Sequence, residues 1–187
     1  MAIKTFTAGE VLTASDTNTY LNNGGLVYIT STTIGSAVSS VTVSNVFSST
    51  YDSYRIVASN ITASTETNTR FQFGPSSVSG YNTSYGGALI YTTWAAGGYL
   101  DARDNGATLF SYVANTQANA GSFAFDVNNP YNAKYATIGP CGWNSGGGSG
   151  VYNGIHQQNQ SYTAFTISPS SGTWTGGTVV VYGYRKA

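Results

Sequence analysis

The segment Phe123-Ala124-Phe125-Asp126-Val127 alternates large apolar residues with a small or an acidic one, which is typical of a β-strand that buries one face. Nine further short runs of β-branched, aromatic or aliphatic residues follow residue 25, at 26–29, 41–43, 54–58, 71–73, 88–91, 109–113, 135–138, 162–167 and 178–184. Gly, Asn, Ser or Pro bounds each run, and no stretch of helical period separates them. The sequence therefore predicts an all-β, antiparallel β-sandwich of eight to ten strands over residues 26–187.

Residues 1–25 differ from the rest and are predicted to form an N-terminal attachment arm with one short helix. Thr13 and Asp16 have the spacing of a capping box, and Asn and Gly at 22–25 end the helix. A helix of about two turns is not stable alone in water, so it needs a partner surface. The apolar residues predicted to contact that partner are Val11, Leu12, Tyr20 and Leu21.

The chain is poor in charge. Its 187 residues hold 7 basic and 7 acidic side chains, so only 7% are charged, against about 25% in ordinary soluble domains. No basic stripe favours nucleic acid, and no apolar run approaches the ~20 residues of a membrane helix. Zero net charge favours association, and the uncharged stretches 17–51 and 135–184 predict edge strands that neighbouring copies cover. The alternative is that short, twisted strands protect these edges themselves.

The residue types needed for catalysis or metal binding are scarce. Cys141 and His156 are the only cysteine and histidine, too few for a structural zinc site. A catalytic histidine needs a carboxylate to orient it, and no acid follows Asp126. Asp101 and Asp104 lack the spacing of a calcium loop. We therefore predict no enzyme activity, no catalytic residue, no metal ligand and no cofactor.

Glycine-rich segments are predicted to form turns and loops. Asp104-Asn105-Gly106 is predicted to be a hairpin turn, and the segment 143–160 a long surface loop. Aromatic rings stack on the apolar face of a sugar and amides bond its hydroxyls, so this loop is a candidate contact with a host glycan. The alternative is that it packs under a neighbouring subunit, with Trp143 as the anchor. The candidate contact residues are Trp143, Tyr152, His156 and Gln158.

Over nearly its whole length, and most specifically at its two ends, the chain resembles small tail-fibre-like structural proteins of tailed bacteriophages, especially phages of cyanobacteria and marine bacteria. The resemblance rests on MAIKTFTAGEVLTASDTNTY at 1–20, VFSSTYDSYRI at 46–56, Gly80-Tyr81-Asn82, and SGTWTGGTVVVYGYR at 171–185. It implies a jelly-roll-like sandwich, often trimeric, on the surface of the virion, and it supplies no functional residues.

The expected function is that of a virion structural protein, made in the bacterial host and placed on tail or capsid. The first reading is a trimeric tail-fibre or receptor-binding module that attaches to other virion proteins through its arm and contacts a host glycan. The second is a capsid decoration (cement) or head-fibre protein. A polysaccharide depolymerase is disfavoured, because glycosidases need two carboxylates across a cleft and most of the seven acids lie near turns or the N-terminus.

Overall fold

Twelve strands and one three-residue helix make up the part of the chain that the computed structural model describes, residues 5–16, 25–74, 85–93, 99–119, 121–145 and 148–186. For 88–93, 99–106, 142–145 and 148–149 that description covers the backbone alone. The elements are α1 (Ala14–Asp16), β1 (Leu26–Thr33), β2 (Val41–Val43), β3 (Ser53–Ala63), β4 (Thr67–Phe73), β5 (Tyr85–Thr93), β6 (Tyr99–Ala107), β7 (Phe110–Thr116), β8 (Gly121–Asn128), β9 (Lys134–Ser145), β10 (Gly148–Gln160), β11 (Phe165–Pro169) and β12 (Trp174–Tyr184).

Eight of these strands form a jelly-roll frame. Four of them lie side by side in the order β1-β12-β3-β8, and the other four form the facing sheet β2-β11-β4-β7. All neighbours in both sheets run antiparallel. Successive strands of the frame pass from one sheet to the other except between β4 and β7, which is the winding of a jelly roll. The predicted all-β, antiparallel sandwich is thus confirmed, with twelve strands in place of eight to ten.

Two inserted hairpins extend the larger sheet beyond β8. They add β9, β10, β5 and β6 in that order, and we call these four strands the wing. The smaller sheet contacts the wing as well as the frame, because its last strand, β7, packs against all four wing strands. The frame and the wing therefore share one apolar interior.

In several frame strands, buried residues alternate with partly exposed ones, so that one face of the strand points into the core. In β4, Thr67, Thr69, Phe71 and Phe73 are buried while the residues between them are partly exposed. The ring of Phe71 lies at the centre of the frame, within 5.5 Å of the ring centroids of Phe125 and Phe165. This core forms because frame strands such as β3, β4 and β8 carry their own apolar residues on the inward face, whereas no residue of β1 is buried.

The two segments predicted to be a turn and a loop are both strands, so those predictions were wrong. Asp104-Asn105-Gly106 lies inside β6, where Asp104 pairs with Gly87 of β5. Residues 143–145 are the end of β9 and residues 148–160 are β10, which pairs with β9 on one side and with β5 on the other. Pairing on both sides satisfies the backbone of β10, and this outweighs the low strand propensity of its glycines.

The capping box of the arm is confirmed. The Asp16 N–H donates to the Thr13 hydroxyl at 3.1 Å, and the Thr13 N–H donates to the Asp16 carboxylate at 3.2 Å. The rest of the predicted helix, with Tyr20 and Leu21, lies outside the described residues. Within the described ranges, no helix has both the length and the apolar character needed to cross a bilayer.

Candidate functional site

Two of the four residues predicted to contact a glycan are buried inside the sandwich. Tyr152 and His156 alternate with exposed neighbours along β10, and both side chains point inward and are fully buried. Gln158 is partly buried further along the strand. Trp143 lies on β9 opposite Phe123 and Gly150, and its side chain is outside the described set. The predicted contact through Tyr152 and His156 is therefore not possible in this fold.

His156 instead belongs to the cluster that joins the wing to the frame. Its Nε2 shares a hydrogen bond of 2.6 Å with the hydroxyl of Tyr162, and its ring stacks on Tyr85 at a centroid distance of 4.0 Å. The backbone N–H of Phe73 donates to the Tyr85 hydroxyl at 2.9 Å, and burial raises the pKa of Tyr85. We call the six buried residues of this cluster the joint: Phe73, Tyr85, Phe110, Tyr152, His156 and Tyr162.

Two paired glycines make room for the joint. Gly87 of β5 and Gly154 of β10 are direct cross-strand partners. A Cβ on Gly154 would overlap the ring of Phe110, which comes from the facing sheet, and a Cβ on Gly87 would overlap the hydroxyl of Tyr152. Gly154, which lies in the segment predicted to be a loop, and Gly87 are thus positions where rings of the joint approach the backbone.

The outer face of the frame presents a row of polar and aromatic side chains across four strands. Tyr28, Tyr182, Arg55 and Asp126 are successive cross-strand partners on β1, β12, β3 and β8, and we call them the outer row. The Arg55 guanidinium donates to Asp126 at 3.2 Å, and the Tyr184 hydroxyl donates to the same carboxylate at 2.8 Å. Tyr28 is 59% exposed and meets Tyr182 edge to face. The row therefore offers solvent a tyrosine ring beside hydrogen-bonding groups.

A cleft opens where the arm enters the frame, and we call it the arm-root cleft. The N–H of Arg185 donates to the carbonyl of Gly25 at 3.0 Å, which places the C-terminal residues beside the start of β1. The cleft has a volume of about 430 Å³, within the range of ligand pockets. Its lining combines aliphatic, aromatic and basic side chains: Leu26, Val27, Tyr28, Thr50, Tyr51, Arg185 and Lys186.

One of the two bases that line this cleft is paired with an acid outside the lining. The Lys186 ammonium lies 2.8 Å from the Asp52 carboxylate and donates to the Ser49 carbonyl at 3.0 Å. The hydrogen bond from Lys186, followed by that from Asn132, lowers the pKa of Asp52. The lining itself contains two cations and no acid.

The two edges of the large sheet differ in charge. β1 is the outermost described strand on the frame side, and its eight residues carry no charge. β6 is the outermost on the wing side and contains Asp101, Arg103 and Asp104. Charged residues on an edge strand oppose pairing with another chain, so β1 is the edge that remains open to association.

The described part of the arm is exposed to solvent. Val11 is 80% exposed and Leu12 is 50% exposed. Both were predicted to need a partner surface, and neither is covered by the single chain. The arm, the β1 edge and the cleft together form the candidate interaction region.

The described residues give little support to metal or thiol chemistry. Within them, no three side chains among His, Cys, Asp and Glu are grouped closely enough to hold a metal ion. Cys141 is buried in β9, and this burial raises the pKa of its thiol, which disfavours the reactive thiolate. Comparison of the chain with family models, with curated proteins and with solved structures returned no match.

Proposed function

We propose that this chain is a structural protein of the virion of a tailed bacteriophage. In this proposal it forms homotrimers, attaches to other virion proteins or to neighbouring copies through its N-terminal arm, and serves in host attachment. The fold alone does not decide this, because jelly rolls serve in capsids, lectins and enzymes alike. The support comes from the resemblance of both chain ends to phage proteins and from the interaction region.

The observation that carries the proposal is the exposure of apolar residues in the arm. Val11 and Leu12 are exposed to solvent, and neither belongs to the hydrophobic core of the sandwich. Exposing such residues is unfavourable in water unless a partner covers them. The arm leads directly into β1, an edge strand without charge that is open to pairing with another copy. Attachment through the arm and self-association through β1 therefore involve one region of the molecule.

Deletion of the arm tests this assignment. A chain without residues 2–24 should keep the circular dichroism spectrum of a β-protein but should no longer enter phage particles. A chain with Val11→Ser and Leu12→Ser is the matched control, because it keeps the arm length and removes only the apolar contacts. Normal incorporation of both chains would overturn the role of the arm.

Host attachment requires an exposed surface, and the outer row is the candidate in place of the segment 143–160. A sugar ring stacks on a tyrosine face, and its hydroxyls bond a carboxylate and a guanidinium, all of which this row provides. Tyr28→Ala with Tyr182→Ala should weaken binding of the protein to host cells. Tyr135→Ala is the control, because Tyr135 is 47% exposed on the wing. Unchanged binding in the double variant would leave the row with a purely structural role in the sheet.

A capsid decoration or head-fibre protein is the second candidate, since it would use the same arm and the same edge strand. Electron microscopy of virions labelled with an antibody against this chain separates the two. Label at the tail tip or fibres supports the receptor-binding role. Label distributed over the head supports decoration, and virions without label would overturn the proposal that this is a virion protein.

A further inference from the structure

The described part of the arm, which does not include Lys4, and the arm-root cleft complement each other in charge. Residues 5–16 contain two of the seven acids, Glu10 and Asp16, and no basic residue. The cleft is lined by two of the seven bases, Arg185 and Lys186. In a chain with so few charges, this segregation places opposite signs on the two exposed parts of the interaction region.

The arm and the cleft also complement each other in apolar character. Val11 and Leu12 lie between the two acids of the arm. Leu26, Tyr28 and Tyr51 line the cleft beside its two bases. The two apolar residues of the arm and its two acids therefore match the apolar and the basic residues that line the cleft.

From these two observations we infer that the arm-root cleft of one copy receives residues 10–16 of the arm of a second copy. The described residues support a partner in trans, because they leave Val11 and Leu12 exposed and form a cleft of about 430 Å³ beside the start of β1. Nine residues separate Asp16 from Leu26, and extended they span up to about 30 Å, enough to cross to a neighbour.

Such an exchange connects different surfaces of the two copies, the arm of one and the cleft of the next. An interface of this kind closes into a ring when its rotation allows, and three copies complete the ring in a trimer. The inference rests on the self-assembly part of the proposed function. It does not depend on the phage particle.

Charge reversal tests the exchange in the full-length chain. One variant carries Glu10→Lys and Asp16→Lys, and the other carries Arg185→Glu and Lys186→Glu. At micromolar concentration, sedimentation should show each variant alone as a monomer where the wild type is a trimer. An equimolar mixture should recover oligomers that contain both variants, because two of the three arm–cleft contacts in a mixed ring of three then join opposite charges. Circular dichroism verifies that both variants fold.

The mixture also controls for local damage. Asp16→Lys removes the cap of α1, and Lys186→Glu removes the ion pair with Asp52. Both losses are still present in the mixture, so they cannot explain a recovery of oligomers there. Recovery therefore reports the arm–cleft contact. A mixture that stays monomeric, or a monomeric wild type, overturns the inference, and incorporation into particles then still tests the virion role separately.

Crosslinking between copies provides a readout without charge changes. A chain with Leu12→Cys mixed with a chain with Thr50→Cys should give a covalent dimer with a short bis-maleimide. Ser122→Cys in place of Thr50→Cys is the control, because Ser122 is exposed on β8. The native Cys141 is buried and does not compete. Equal yields for Thr50 and Ser122 would contradict docking in the cleft.

Discussion

The frame and the wing fill the interior of the molecule in different ways. Frame strands carry their own inward residues at every second position, as in β4 with Phe71 and Phe73. On β10 of the wing, the inward positions are Tyr152, Gly154 and His156, so a glycine stands where the frame has a ring. The gap is filled by Phe110 from the facing sheet.

This difference shows that a glycine in the sequence can have either of two structural roles. At a turn it provides backbone freedom, whereas in the wing it provides space for a side chain from another strand. The pair Gly87 and Gly154 allows the rings of the joint to approach the backbone of two adjacent strands. The joint is therefore expected to make the frame and the wing unfold together.

The largest expected effect is on the reactivity of Cys141. Its thiol is buried in the wing, so a thiol reagent should label it at least about a thousandfold more slowly in the folded chain than in denaturant. If the joint couples the two regions, the labelling rate should follow global unfolding when urea is added. Labelling well ahead of the loss of aromatic circular dichroism would mean that the wing opens alone.

The next effect is expected from Phe71→Ala in the centre of the frame. Removing this fully buried ring should lower the free energy of unfolding by about 3–5 kcal/mol, because it leaves a cavity among the rings of Phe110, Phe125 and Phe165. Urea denaturation should still show one transition for both regions. Two separate transitions would contradict a shared core.

A smaller loss is expected from Gly154→Ala in the wing. The added methyl group must displace Phe110, which should cost about 1–3 kcal/mol. Gly35→Ala is the matched control, because its Cβ would have ordinary contact with Val38 at 3.9 Å. Similar stability of the two variants in urea would show that the glycine is a flexible point and not a space for the ring.

The smallest effect is expected from Tyr162→Phe at the joint. It removes the hydrogen bond of 2.6 Å to His156 in a buried setting, which should cost about 1–3 kcal/mol, toward the lower end because the ring is kept. Tyr28→Phe is the control, since its hydroxyl bonds Ser31 at the exposed surface. If the two variants have the same melting temperature, the joint is held by ring packing alone.

The sequence by itself determined the frame. Eight of the ten predicted runs lie in or overlap frame strands, because side-chain alternation is a local property, and the other two lie in β5 and β9 of the wing. The capping box at Thr13 and Asp16 followed from spacing in the same way. The low charge of β1 was also visible in the sequence, although its position at an edge was not.

The tertiary structure alone decided the wing strands β6 and β10 and the candidate site. β6 and β10 contain the residues that favour turns, Asn-Gly and repeated glycine, and only pairing with β5 and β9 makes them strands. His156 and Tyr152 are buried because residues from outside β10 cover them. Phe110 is distant in sequence and packs near Tyr152, and Tyr162 follows the end of β10 and bonds His156. The cleft likewise forms from the two chain ends and the segment before β3, and no local pattern shows that these three meet.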